Sequence, residues 1–221
     1  MVNMEQTLSK EERILLAAEQ VFSRKGYTLA TLDEIIKIAD TGKGTVYKYY
    51  KNKENLFYTL VQKKNEPFLE KLKVIEDSEQ SFSGKLRDYI IEMLKFTSDN
   101  LVILQVLFFD FSGANRGWQI LTDKDGNFKV ISRWGNKPTA EEEEILRKYF
   151  EILHSHIIVL RYILEEGVSR GELKAHEQMN MWAGHLYGGL EMLVFHDMDE
   201  GMDFGHVADV VVDRFMNGHK F

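Results

Sequence analysis

Apolar residues recur at intervals of three and four along nearly the whole chain, the spacing that lines one face of an α-helix. The pattern predicts an all-α fold. Ser9 followed by Glu12 is a capping-box pattern, and the helix it opens carries Ile14, Leu15, Ala18, Val21 and Phe22 inward before Gly26 stops it. Thr31 is a good N-cap for a second helix that buries Leu32, Ile35, Ile36 and Ala39. A third helix covers about Lys43 to Tyr50. A fourth begins near Lys53 and continues toward Glu76, with Pro67 expected to bend it or end it early.

Beyond Ser81 the same period predicts helices at about 83–97, 100–111, 141–169, 175–196 and 204–217. The stretch Gly113 to Pro138 breaks it. There, Trp118-Gln-Ile-Leu-Thr and Phe128-Lys-Val-Ile-Ser-Arg-Trp134 flank Asp-Lys-Asp-Gly, which reads either as a β-hairpin inserted near 118–134 or as a loosely ordered loop. Glu141 to Glu144 read as the acidic first turn of the next helix.

With 44% apolar and 29% charged residues in 221, the chain can build a core and is not read as disordered. It has no cysteine, so disulfides and thiolate metal sites are excluded. The N-terminus offers no apolar signal stretch. The strongly apolar run Leu101 to Phe109 is interrupted by Gln105 and is far shorter than the roughly 20 residues of a bilayer crossing. A cytoplasmic protein without a membrane partner is expected.

Net charge is −7, yet its distribution is uneven: residues 1–73 hold 13 Lys/Arg against 10 Asp/Glu, and residues 74–221 hold 15 against 25. Between Thr41 and Lys64 stand six lysines and one acid, Glu54. A small basic head on an acidic body suits a nucleic-acid reader whose larger part has another task.

Two short helices joined by a tight turn and braced by a third form the helix-turn-helix arrangement, and residues 32–50 have lengths that suit it. Asp40 stands where the turn needs a residue tolerant of a left-handed backbone. In Gly42-Lys43-Gly44-Thr45-Val46-Tyr47-Lys48-Tyr49-Tyr50-Lys51, Val46 and Tyr50 are four apart and can face the core. Lys43, Thr45, Tyr47, Lys48 and Tyr49 present ammonium and hydroxyl groups on other faces, and the small Gly42 and Gly44 let the helix start approach a phosphate. On composition alone an ordinary solvated, lysine-rich helix reads as well.

Thr31, Ile35, Ala39, Lys43, Gly44, Thr45, Val46, Tyr47, Tyr49, Asn52, Lys53, Glu54 and Leu56 stand, in order and spacing, where the TetR/AcrR family of transcriptional regulators has its signature. The stretch Ile14 to Tyr27 resembles the family's first helix, so the likeness covers about residues 10–60. The resemblance implies a DNA-binding domain at 1–52 and a ligand-binding and dimerisation domain at 53–221. It implies DNA contacts from Thr31, Thr41, Gly42, Lys43, Gly44, Thr45, Tyr47, Lys48, Tyr49 and Lys53. Tyr47 and Lys53 would touch phosphate, and Lys48 takes the variable position where base preference can differ. The chain departs from the family at Ile36, Asp40 and Thr41-Gly42. Gly42 lacks the usual serine hydroxyl, and Thr41 is expected to take over that cap.

The helix carrying Trp182, Ala183, Leu186, Gly189, Leu190, Leu193 and Val194 is apolar on several faces and must be covered on several sides. We expect it to pair, with the helix at 204–217, against the copies in a twofold homodimer matching a palindromic operator in double-stranded DNA; core packing within one chain is the other reading. Phe96, Phe108, Phe111, Tyr149, Leu153, His156, Leu160 and Trp182 are candidate liners of a pocket for a small lipophilic or aromatic effector. The expected activity is ligand-responsive regulation, with repression implied by the family. A protein-interaction adaptor with a degenerate reader and a helical carrier or enzyme are the other classes considered. No catalytic, cofactor or metal motif is found: His154 and His156 diverge, His185 and His196 lack a matched spacing, and Asp123-Lys-Asp-Gly-Asn reads as a turn, without the ligand series of a calcium loop.

Overall fold

Ser9 opens the first helix as its spacing predicts: its hydroxyl accepts from the Glu12 amide at 3.2 Å, and the Glu12 carboxylate accepts from the Ser9 amide at 2.8 Å. The computed structural model describes residues 8–111, 117–122, 128–174, 179–197 and 201–219. Among these, nine helices and one small hairpin occur, so the all-α reading holds. The chain divides into two compact units, one of Met1–Lys64 with Val102–Phe150, the other of Asn65–Leu101 with Glu151–Phe221.

In the first unit, α1 (Lys10–Leu29) loses helical geometry at Gly26, where φ is 72° and ψ 176°. The expected stop is there, and residues 27–29 form a separate last turn. Ile14, Ala17, Ala18, Val21 and Phe22 are buried, while Leu15 is only half-buried. Thr31 caps α2 (Leu32–Ile38) by accepting from the Glu34 amide at 3.3 Å. Next come α3 (Lys43–Tyr50) and α4 (Lys53–Glu76), followed later in the chain by α6 (Leu101–Phe111) and α7 (Ala140–Ser169). An aromatic core joins Phe22, Tyr27, Phe57, Phe111 and Tyr149, with Phe57 stacked on Phe111 at 5.1 Å and Tyr149 at 4.4 Å from Phe111.

The segment between α6 and α7 resolves the open alternative. Strands β1 (Trp118–Thr122) and β2 (Phe128–Ser132) pair antiparallel, from Trp118 opposite Ser132 to Thr122 opposite Phe128. The expected turn at 123–127 lies outside the described residues. Gly117 is required at the hairpin's base, because φ is 72° and a Cβ would come within 2.5 Å of the Trp134 indole.

In the second unit, α5 (Phe82–Asp99), α8 (Met179–Asp197) and α9 (Phe204–His219) pack with parts of α4 and α7 around Phe68, Leu72, Leu86, Tyr89, Ile90, Leu160, Ile163 and Leu190. Residues 175–178, expected to open α8, lie outside the described residues. Lys85 is buried but paired, donating to the Glu76 carbonyl at 2.6 Å and the Glu166 carboxylate at 2.7 Å.

Of the two outcomes expected at Pro67, a bend or an early end, the second does not occur: α4 runs through to Glu76. An interior proline costs about 3 kcal/mol, and the burial of Phe68 and Leu72 just beyond it offsets that cost. The compact units are drawn differently from the functional division expected at residue 52. The unit boundaries fall inside α4 and α7, because Phe111 and Tyr149 join the aromatic core of α1 and early α4.

Candidate nucleic-acid interface

The turn between α2 and α3 is built on Asp40, whose φ is 46°. That is the left-handed backbone expected of it, and its carbonyl accepts from the Arg13 guanidinium at 3.3 Å. Glu34 receives both Arg24 and Lys25, the latter at 2.7 Å, tying α2 to α1. Asp33 receives the Lys43 ammonium at 3.0 Å, tying α2 to α3, and this hydrogen bond raises the Lys43 pKa. Exposed pairs of this kind contribute little energy each. Here they link α2 to α1 on one side and to α3 on the other.

Beneath them, Ile35, Ala39, Val46 and Tyr50 are buried, so the core face read from α3 is correct. The neighbouring tyrosines divide sharply: Tyr50 is 4% exposed, against 43% for Tyr47 and 49% for Tyr49. Lys43 and Lys48 are exposed on the same helix, and the Lys43 ammonium lies 5.9 Å from the Tyr47 ring centroid. Gly42 and Gly44 are exposed, and among the described residues no atom of another element would obstruct a Cβ at Gly44. Thr41 and Thr45 are half-buried; Thr31 is exposed with its hydroxyl engaged in the α2 cap.

Two residue roles differ from expectation. Thr41 does not cap α3: Gly42 is the N-cap, and no side chain satisfies the helix start. The Gly42 carbonyl still accepts from Thr45 at 2.9 Å, so the helix forms without a side-chain cap. Lys53 does not offer an open ammonium to a phosphate. Its Nζ donates to the carbonyls of Tyr27 at 2.8 Å, Ala30 at 2.9 Å and Thr28 at 3.3 Å, which occupies all three of its donors. It also sits 4.4 Å from the Tyr27 ring centroid, and burial lowers its pKa.

The pocket candidates fall in both units. Phe111 and Tyr149 share the aromatic core of the first unit, and Phe108 there is 39% exposed, its ring edge-on to Phe109. In the second unit Phe96 stacks on Phe68 at 4.0 Å, and His156 lies edge-on to both. Leu160 is fully buried, while Leu153 and Trp182 are half-buried. A surface groove in the same unit, past Pro67, Lys71, Val74 and Glu92, includes none of these eight.

Sequence reasoning missed Asn65, which is 8% exposed and bonded to the His156 imidazole, and Asp110, whose carboxylate accepts from the Tyr27 amide at 3.1 Å. A signal for Asp110 was present, since it is the one acid in the apolar run of α6. Asn65, in a polar stretch of α4, gave none.

A model of the family described as bacterial regulatory proteins, tetR family, matches residues 14–59. The chain is similar to the fatty acid metabolism regulator protein of Bacillus subtilis (strain 168), 25% identical over 217 residues, or 97% of this chain and 98% of that protein. It is also similar to the HTH-type transcriptional regulator QacR of Staphylococcus aureus, 26% identical over 104 residues, 47% of this chain and 54% of the relative. Its fold is shared by the crystal structure of FadR from Bacillus subtilis in complex with stearoyl-CoA, with a TM-score of 0.71 and 22% identity over 94% of this chain and 98% of that one. The fatty acid degradation regulator FadR from Bacillus halodurans superposes with a TM-score of 0.70 and 21% identity, covering 95% of this chain and 99% of that one.

Proposed function

The chain belongs to the TetR family of bacterial regulatory proteins, and from that premise we propose that it is a cytoplasmic, ligand-responsive repressor, a homodimer that leaves its palindromic operator when a long-chain fatty acyl-CoA binds. The observation that carries the DNA reading is the face of α3. Tyr47, Lys48 and Tyr49 stand exposed beside an uncapped helix start, on a frame fixed by Asp40, Glu34 and Asp33. An uncapped helix N-terminus with adjacent cations is suited to phosphate, and side chains reaching base edges supply sequence preference.

Effector and dimer rest on the remainder of the chain. The acyl-CoA class is supported by the fatty acid regulators to which the chain is similar along its length, one with stearoyl-CoA bound, and by the apolar interior around Phe68, Phe96 and Leu160. The dimer is supported by α8 and α9. Among the described residues, a Cβ at Gly184, Gly188 or Gly189 would meet no atom of another element within 4 Å, so the close approach these glycines permit is not used there. Met181, Met192 and Val210 are exposed on the same two helices. In this reading residues 1–52 hold the reader and residues 53–221 the effector and dimer functions. Release requires that the effector bind more tightly to a conformation whose two α3 helices no longer match successive major grooves.

A gel shift on the DNA upstream of the chain's own coding sequence tests the reading, with stearoyl-CoA added and stearate as the control. Binding that stearoyl-CoA reverses is expected. Stearoyl-CoA that binds the protein and leaves DNA affinity unchanged would sink the mechanism.

A further inference from the structure

We propose that Asp110 and Lys53 are the positioning residues of the DNA-reading face: together they hold the α1–α2 turn in its DNA-competent form and touch no DNA themselves. The proposal rests on the DNA-binding reading above.

The turn from Tyr27 to Ala30 points three carbonyls at one place. Converging carbonyl dipoles repel unless a cation lies among them, and the Lys53 ammonium fills that position. The other polar side of the turn is the Tyr27 amide, which the Asp110 carboxylate accepts at 3.1 Å. Gly26 makes the arrangement possible through its φ of 72°. A Cβ there would sit 3.8 Å from the same Asp110 oxygen, an ordinary contact, so backbone conformation and not space calls for glycine. The Tyr27 ring packs under Lys53 and against Phe57 and Phe111, so it cannot swing free of either partner. Thr31, the exposed cap of α2, follows the turn directly. Thr31, α2 and the Asp33 partner of Lys43 therefore inherit their placement from the two charged side chains.

Positioning and direct contact have opposite signatures. Asp110 is an acid, so on charge alone its removal should strengthen binding to a polyanion; a positioning residue predicts weaker binding. Losing one phosphate contact flattens the dependence of log K on log salt by about 0.9, whereas losing a positioning residue leaves that slope unchanged.

The test uses the full chain, the duplex upstream of its own coding sequence across a salt series, and hydrogen exchange at the Tyr27 amide without DNA. Asp110→Ala is expected to weaken binding at least roughly fivefold at an unchanged slope and to speed Tyr27 exchange, with Asp110→Asn restoring most of both because its amide oxygen can still accept. Lys53→Met is expected to weaken binding with no change in slope. Equal or tighter binding by Asp110→Ala overturns the proposal, as does a slope shift of one phosphate in Lys53→Met. If Lys53→Met does not fold, the Asp110 pair decides the matter alone. A wild-type chain that binds no DNA overturns the underlying reading too, whereas unchanged Tyr27 exchange in Asp110→Ala overturns only the positioning role.

Discussion

The Nδ1 of His156 lies 3.2 Å from the hydroxyl of Tyr187, at the centre of a buried chain that runs from Asn65 through both residues to Glu191. In a neutral imidazole one nitrogen donates and the other accepts. Asn65 Oδ1 faces Nε2, which makes Nε2 the donor and Nδ1 the acceptor of the Tyr187 proton. Glu191 is the next polar group along, hydrogen-bonded to Tyr187. Burial pushes the Glu191 carboxyl up to about 7, against the hydrogen bond with Tyr187, which acts to lower it.

Opposite pH dependences follow from this chain. Burial holds His156 down at about 3, so the fold binds fewer protons than the unfolded chain between pH 3 and 6.5, and stability is lost as pH falls through that window. Glu191 is raised from 4.5 to about 7, so the fold binds more protons there and stability is lost as pH rises. The two offset each other where the windows overlap, leaving an acid-side loss from His156 and a loss toward pH 7 from Glu191. Glu191→Gln should remove the second, worth on the order of 2–3 kcal/mol, and thermal denaturation from pH 4 to 8 reads it directly. A midpoint in Glu191→Gln that still falls between pH 6.5 and 7.5 as the wild type does would show that another group is responsible.

Tyr47 and Lys48 are adjacent and both exposed on α3, but they should not behave alike. On the proposed reading Tyr47 meets phosphate, so Tyr47→Ala should weaken binding to all duplexes by a similar factor. Lys48→Ala should change preference at one base-pair position, by about 1–3 kcal/mol. Affinities on an operator and on single-position variants of it separate the two; equal loss on every sequence for Lys48→Ala contradicts the assignment.

Gly42 has φ −79° and ψ 145°, a backbone any N-cap residue adopts, and a Cβ there would meet only Thr45 Oγ1 at 3.9 Å. Gly42→Ser should supply the missing cap and raise stability by about 0.3–0.5 kcal/mol. A small rise in melting temperature checks this; a fall would mean that the serine hydroxyl does not reach the α3 amides.

Gly189→Leu places a bulky side chain on the α8 surface, where the other described elements have no atom within 4 Å of a Cβ. The helical signal should be kept or slightly increased, since leucine favours a helix interior over glycine by about 0.8 kcal/mol. The proposed dimer should be lost, read as halved mass in light scattering. A dimer that survives the substitution would place the interface elsewhere.

What could be read from sequence was local. Ser9 with Glu12, Gly26, Thr31 and Asp40 each carry a conformational preference that acts within three or four residues, and each sits where that preference requires. The burial of Val46 and Tyr50 followed from helical spacing alone, and the ordered matches from Thr31 to Leu56 carried the family. Tertiary structure decided what needs partners distant in sequence. Lys53 reads as an open cation until Tyr27, Thr28 and Ala30, more than twenty residues earlier, turn their carbonyls toward it. Asp110 reads as a stray acid until it meets the Tyr27 amide 83 positions away. A charge becomes a clamp or a free contact according to which backbone groups converge on it, and that convergence is set by packing, which residue spacing does not encode.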